Sequence, residues 1–198
     1  MITRVVGRGL EIPRKTLHLT TASIPFALWI GVPQRLVAVL LLTLFGVAVA
    51  VEIARRRSSR IATRFDQTVG ILLRPHEAAN GITGATWLLA TFAITCLALP
   101  LPVAIAATWA GAVGDALAAI VGATWRRMRG GQGKTIAGSA ACALASAWGA
   151  WWLAEFTLPL SIALGLVAAG VERPRMALDD NVRVTAGTAI AALILLRL

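Results

Sequence analysis

Seven apolar runs, at about 17–33, 36–53, 82–99, 101–125, 136–154, 156–171 and 184–198, organise the whole chain. A bilayer core takes roughly 20 apolar residues of helix, about 17 at the short end. Inside lipid no water is available to backbone amides, so a chain of such runs satisfies them as α-helix. The pattern predicts an all-α fold: a polytopic integral membrane bundle of about seven transmembrane helices, one domain over residues 1–198. A partial last crossing would reduce the count to six. The chain is 58% hydrophobic and 14% charged, with a mean hydropathy of +0.77, whereas a soluble domain carries about 25% charge.

The connections carry the second signal. Of the 19 Lys and Arg residues, 17 fall in the N-terminal tail and the second, fourth and sixth connections, leaving Arg35 and Arg197 on the other side. The positive-inside rule then places the N-terminus and these connections in the cytoplasm, with the protein multi-pass in the cell membrane. The net charge of +10 is thus a topology signal, with the lipid bilayer and its anionic headgroups as partner. No basic patch with interleaved aromatics is present, which sets nucleic acid aside. No cleavable leader pattern precedes the first run. Cys96 and Cys142 lie in separate apolar runs and read as small core residues. The tryptophans, Trp29, Trp109, Trp125, Trp148, Trp151 and Trp152 among them, fit interfacial belts and helix packing. No feature sets an oligomeric state.

Acidic residues follow the same side. Of nine, only Glu155 falls on the opposite face. A transporter spreads polar groups through several depths or shows matched broken helices, so gathering at one surface favours an enzyme that joins a cytoplasmic substrate to a membrane-embedded one.

Four stretches hold the candidate chemistry. In "IPRKTLH", Arg14 and His18 share a helical face where the chain enters the apolar phase. In "RPHEAANG", Arg74 and Glu77 precede the third run, and a surface ion pair between them is the plain reading. Around "GAVGDALAAIVG", Gly111, Gly114 and Gly122 permit close backbone approach or a helix break beside Asp115, a carboxylate costing about 2.5–3.5 kcal/mol at a helix centre. "GGQGKTIAGS" follows, where glycine N–H groups and Lys134 suit phosphate oxygens. Its "GKT" is no P-loop, because Met128 stands where that motif needs glycine and no strand precedes it. In "VERPRMALDDNVRV", Glu172, Asp179 and Asp180 offer oxygen ligands of the kind Mg²⁺ uses with substrate phosphates.

In order along the chain stand Arg14-Lys15-x-x-His18, Glu52, Arg74-x-x-Glu77 with Gly81, Gly114-Asp115-Ala116 with Ala119 and Gly122, Lys134-x-x-x-Gly138-Ser139, then Glu172 and Asp180-Asn181. This series resembles the CTP-dependent lipid kinases: dolichol kinase, phytol kinase and the yeast-type diacylglycerol kinase. The resemblance covers nearly the whole chain. It departs at Val182-Arg183-Val184-Thr185, where the family has an apolar residue and then Val-Pro. The distantly similar phosphatidate cytidylyltransferases share the glycine–aspartate and lysine–glycine–serine elements, but their C-terminal signature is absent here.

The resemblance implies transfer of the γ-phosphate of CTP to the hydroxyl of a membrane lipid alcohol, with Mg²⁺ or another divalent cation. It implies catalytic roles for Asp115, Lys134, Asp180 and His18. Nucleotide contacts fall to Arg14, Lys15, Arg74, Glu77, Gly114, Gly133, Lys134, Gly138, Ser139 and Asn181. The metal falls to Asp115, Glu172, Asp179 and Asp180. The acceptor alcohol, polyprenol, phytol, geranylgeraniol or diacylglycerol, is left open. The alternatives are a CDP-lipid-forming cytidylyltransferase and a non-catalytic transporter or scaffold.

Overall fold

A computed structural model describes residues 11–78, 81–129, 133–174 and 178–197, with the backbone alone at 11–13, 75, 76 and 129. The fold is all-α, with no strand among the described residues. Each of the seven apolar runs lies on helix, though their ends and continuity differ from the sequence expectation.

The first run is broken. α1 (Glu11–Leu19) passes through a 3₁₀ turn, Thr20–Ala22, into α2 (Ser23–Trp29). Pro25 has no N–H to bond the carbonyl four residues back. Just before it, Thr20 and Thr21 hydroxyls donate to the Leu17 and His18 carbonyls at 2.7 Å. The second run is α3 (Gln34–Arg57), 24 residues and about 36 Å at 1.5 Å per residue. Beyond it come α4 (Ser59–Val69), the 3₁₀ turn Gly70–Leu72 and α5 (Pro75–Ala78).

α6 (Gly84–Ala98) starts where the Thr83 hydroxyl caps the Thr86 N–H. α7 (Leu101–Trp109) has Pro102 in its first turn, where a missing N–H costs nothing. It continues through a π-helical turn, Ala110–Gly114, into α8 (Asp115–Arg129). The helix break expected near Asp115 is therefore a π-turn, which keeps the helix running while loosening its bonding. α9 (Ile136–Trp152) begins at Thr135, whose hydroxyl accepts the Gly138 N–H at 3.0 Å. α10 is Leu158–Glu172. α11 (Asp180–Leu195) starts four residues before the last apolar run, because the Asp179 carboxylate caps the Asn181 N–H at 3.0 Å.

α7 is the axis of the bundle, with Val103, Ala104, Ala106 and Ala107 wholly buried. α2, α9 and α11 surround it, α3 pairs with α6, and α10 packs between α9 and α11. Small residues let these helices approach closely. A Cβ on Gly138 would stand 2.6 Å from the Ala118 carbonyl oxygen, and the Gly149 backbone lies under the Trp109 indole. Gly138→Ala is expected to force α8 and α9 apart and lower stability by about 1–3 kcal/mol, the usual cost of overpacking, read as a drop in thermal midpoint.

Candidate functional site

At the end of the bundle where α1 begins and α3 and α10 finish, cations and carboxylates interleave in one network. α1 supplies the first contacts. Arg14 grips Glu77 through both nitrogens at 3.2 Å, and Glu77 is 1% exposed. The Glu77 carboxylate also accepts the Arg74 N–H at 2.8 Å and the Gly84 N–H at 3.0 Å. The expected Arg74–Glu77 surface pair is thus corrected: Glu77 is buried, Arg14 is its ionic partner, and Arg74 meets it only through backbone.

One residue along, Lys15 is buried against the equally buried Asp115 carboxylate. One turn further, His18 Nε2 lies 3.0 Å from the Gly111 carbonyl of the π-turn. That oxygen can only accept, so in neutral His18 the hydrogen sits on Nε2 and Nδ1 carries the lone pair. α1 therefore aligns Lys15 and His18 along the turn that presents Asp115.

The Arg74 side chain reaches α11, 2.8 Å from Asp179 and 3.7 Å from Asp180. Burial alone would lower its proton affinity, but Asp179, Asp180, Glu77 and Asp115 more than reverse this and raise it. Lys134 stands 2.6 Å from Glu172 and 3.6 Å from Asp180, and also donates to the Glu172 carbonyl. Arg183 pairs with Asp180 and donates to the Val171 and Pro174 carbonyls at 2.9 and 2.6 Å, tying α10 to α11. Asp180, Arg74 and Lys134 are the open part of the network, each about a quarter exposed in its side chain.

The sequence expectations are met unevenly. Arg14, Lys15, His18, Arg74, Glu77, Asp115, Lys134, Glu172, Asp179, Asp180 and Asn181 do converge. Asn181 Nδ2 donates to the Gly84 carbonyl at 3.0 Å, while its buried Oδ1 has no partner. The Ser139 hydroxyl is likewise buried and unpartnered. Gly114 and Gly138 sit in helix contacts, Gly114 beneath the Ser146 hydroxyl and Gly138 with its N–H already capped by Thr135. Gly133 takes the left-handed region at φ 85°, and its carbonyl accepts from Arg126 at 2.7 Å. Residues 130–132 of the expected glycine cradle lie outside the described residues.

Two members were missed. Arg55 donates to Glu52 at 2.7 Å, to the Glu77 carbonyl at 3.0 Å and to the Gly81 carbonyl. Glu52 in turn accepts the Thr83 N–H at 2.9 Å. Arg183, the other, entered the sequence reading only as part of the Val182–Thr185 departure from the family pattern. A signal for Arg55 was available: Leu41, Phe45, Ala48, Glu52 and Arg55 recur on one face of α3.

Among the described residues no group of three or more His, Cys, Asp or Glu side chains is placed to hold a metal ion by itself. Mg²⁺ seldom uses such a cage, taking one or two carboxylates together with substrate phosphates. Glu172 and Asp180, facing each other across Lys134, fit that smaller demand. Both Asp179 oxygens are engaged, one by Asn181 and one by Arg74. Compared with protein-family models, curated proteins and solved structures, the chain matches none.

Proposed function

We propose that this protein is a multi-pass membrane enzyme that transfers the γ-phosphate of CTP to the hydroxyl of a membrane lipid alcohol at the cytoplasmic face. The observation that carries this reading is the continuity of an open, cation-rich cluster with an apolar interior. Arg74, Lys134 and Asp180 face outward, and Lys15–Asp115 and His18–Gly111 follow one step inward. A water-soluble polyanion and a lipid hydroxyl meet at such a boundary.

The membrane placement has its own support. α3 has a mean hydropathy of 2.7 over its best window, of which 22% is buried. Leu36, Val39, Leu40, Leu44 and Val47 stand exposed along it. An apolar helix with that much open surface fits lipid, since a monomer in water rarely leaves so large a patch uncovered. Leu101–Met128, the second long apolar helix, has 72% of its most apolar window buried and forms the centre of the bundle. Seven spans with a cytoplasmic N-terminus put the ionic cluster at the inner leaflet.

The chemistry follows from exchange of charge partners. Without nucleotide, Arg74 and Lys134 neutralise Asp179, Asp180 and Glu172. A triphosphate offers these cations stronger, multidentate partners. With these cations turned to phosphate, Glu172 and the Asp180 oxygen not held by Arg183 would hold Mg²⁺, which would supply neutralisation of the charge on the transferring phosphoryl group. Asn181 Oδ1 and the Ser139 hydroxyl, both without partners, are poised at the same end. The alcohol oxygen forms its bond to the γ-phosphorus as the bond to CDP breaks. Its proton passes to a base, for which His18 Nδ1 is the candidate. CTP as donor rests on the ordered motif series alone.

Purified protein incubated with γ-labelled CTP, Mg²⁺ and a panel of polyprenol, phytol, geranylgeraniol and diacylglycerol is expected to put label into lipid and release CDP. Label in no lipid sinks the reading, and release of pyrophosphate with a CDP-lipid replaces it with the cytidylyltransferase. His18→Gln is expected to lower kcat by about 10²–10⁴-fold, the usual worth of a general base, with KM for CTP unchanged.

A further inference from the structure

α3 ends at Arg57, and Ser58 leaves helical geometry at φ −137° and ψ 116° before α4 begins. α4 packs chiefly on α3 and on the 3₁₀ turn that follows it. At 100° per residue, Ile61, Ala62, Phe65 and Val69 share one arc, with Arg60, Thr63, Arg64 and Gln67 on the other side. Arg56, Arg57, Arg60 and Arg64 are all exposed, and none has an ion-pair partner among the described residues. Ile61 is 40% and Ile71 61% exposed, extending the uncovered apolar band of α3 that ends with Val51 and Ile53. Uncovered isoleucines beside unpaired arginines are the composition of a helix lying in a membrane interface.

α4 also touches the site. The Phe65 ring centroid lies 5.1 Å from the Arg55 guanidinium carbon. Arg55 holds the Glu77 and Gly81 carbonyls, and Glu77 holds Arg14 and the Arg74 and Gly84 N–H groups. Restraint on α4 therefore reaches the ionic network in two contacts.

We infer that α4 is a membrane-surface helix whose arginines 56, 57, 60 and 64 dock on anionic lipid headgroups, and that this docking braces the ionic cluster through Phe65 and Arg55. The inference rests on the membrane placement given above and not on the kinase chemistry. Charge complementarity selects the occupant: an anionic leaflet attracts each basic residue near its surface by roughly fivefold in partitioning. Attraction of this kind is screened by salt within a Debye length.

The test uses full-length protein in vesicles of phosphatidylcholine with and without phosphatidylglycerol, no nucleotide present. A nitroxide is placed on Ile61→Cys or, separately, on Gln67→Cys, the native Cys96 and Cys142 being buried. In anionic vesicles the label at 61 is expected to meet lipid-dissolved oxygen and the label at 67 a water-soluble relaxant. Arg60→Gln with Arg64→Gln is expected to return the label at 61 to water. Phosphatidylglycerol is expected to raise the thermal midpoint by several degrees, a gain lost in the double Gln variant. Phe65→Leu should keep the lipid position of the label but lose the thermal gain. A label at 61 that ignores lipid charge and the arginines overturns the docking, and a thermal gain that survives Phe65→Leu overturns the bracing. None of these readouts depends on phosphoryl transfer, so a protein that phosphorylates no lipid bears on the kinase proposal alone.

Discussion

Asp115→Asn is expected to abolish lipid phosphorylation and, separately, to destabilise the fold. The carboxylate is 1% exposed and Lys15, its partner, 7%. Removing one charge leaves the other uncompensated in a low-dielectric interior, at a cost of about 3–5 kcal/mol. Loss of activity in the single variant would thus have two explanations. Asp115→Asn combined with Lys15→Met separates the fold from the function of the pair, because a neutral pair of similar volume restores most of the stability. The double variant is expected to recover its thermal midpoint in detergent and to remain inactive with γ-labelled CTP. Lipid phosphorylation by that double variant would reduce Asp115 to a structural counter-ion and remove it from the chemistry.

Lys134→Met carries the second large effect. Lys134 stands between Glu172 and Asp180 at 2.6 and 3.6 Å, and Asp180 is also paired with Arg74 and Arg183. Its own side chain is 26% exposed but Glu172 is buried, so its loss leaves a buried carboxylate without its lysine and is expected to cost stability too, up to about 3–5 kcal/mol. Its loss to catalysis is expected to be about 10²–10³-fold in kcat/KM for CTP, the scale of one electrostatic contact to a transition state. A third readout follows from the same geometry. With Lys134 gone, Glu172 loses its cation beside Asp180, whose pairs with Arg74 and Arg183 remain, so Lys134→Met is expected to bind Mn²⁺ more tightly than the parent protein in the absence of nucleotide, measured by the loss of the free-ion paramagnetic signal. An unchanged Mn²⁺ affinity would mean that Lys134 does not guard those oxygens.

Much of this arrangement was legible in the chain because hydropathy and charge act over long stretches. An apolar run of fifteen or more residues has few options but helix, and all seven runs became helix. Convergence of Arg14, Lys15, Lys134, Glu172 and Asp180 was legible too, because each flanks its run on the same side, and Asp115 lies in the same half of its own. What sequence could not give was who holds whom. Arg14 and Arg74 are both near Glu77, and only the approach of α1 to α5 decides that Arg14 takes the carboxylate. Glycines were ambiguous for a related reason. Gly138 and Gly114 stand in a phosphate-like context, yet a missing Cβ serves close helix contact equally well, and the Ala118 carbonyl and Ser146 hydroxyl claim those spaces. Arg55 was hidden by Arg56 and Arg57 beside it. Its burial follows from helical phase, which charge counting along a connection ignores.

The π-turn at Ala110–Gly114 has a geometric consequence beyond its loosened hydrogen bonds. Such a turn accommodates one more residue than the α-helix on either side. One residue corresponds to about 100° of rotation about the helix axis. The insertion therefore acts as a phase shifter: without it, α8 would follow α7 on a different azimuth and carry its acidic group away from α1. Alignment of that group with the amine and imidazole of α1 is a matter of angular register, set by the five residues immediately before it, which carry no reactive atom of their own.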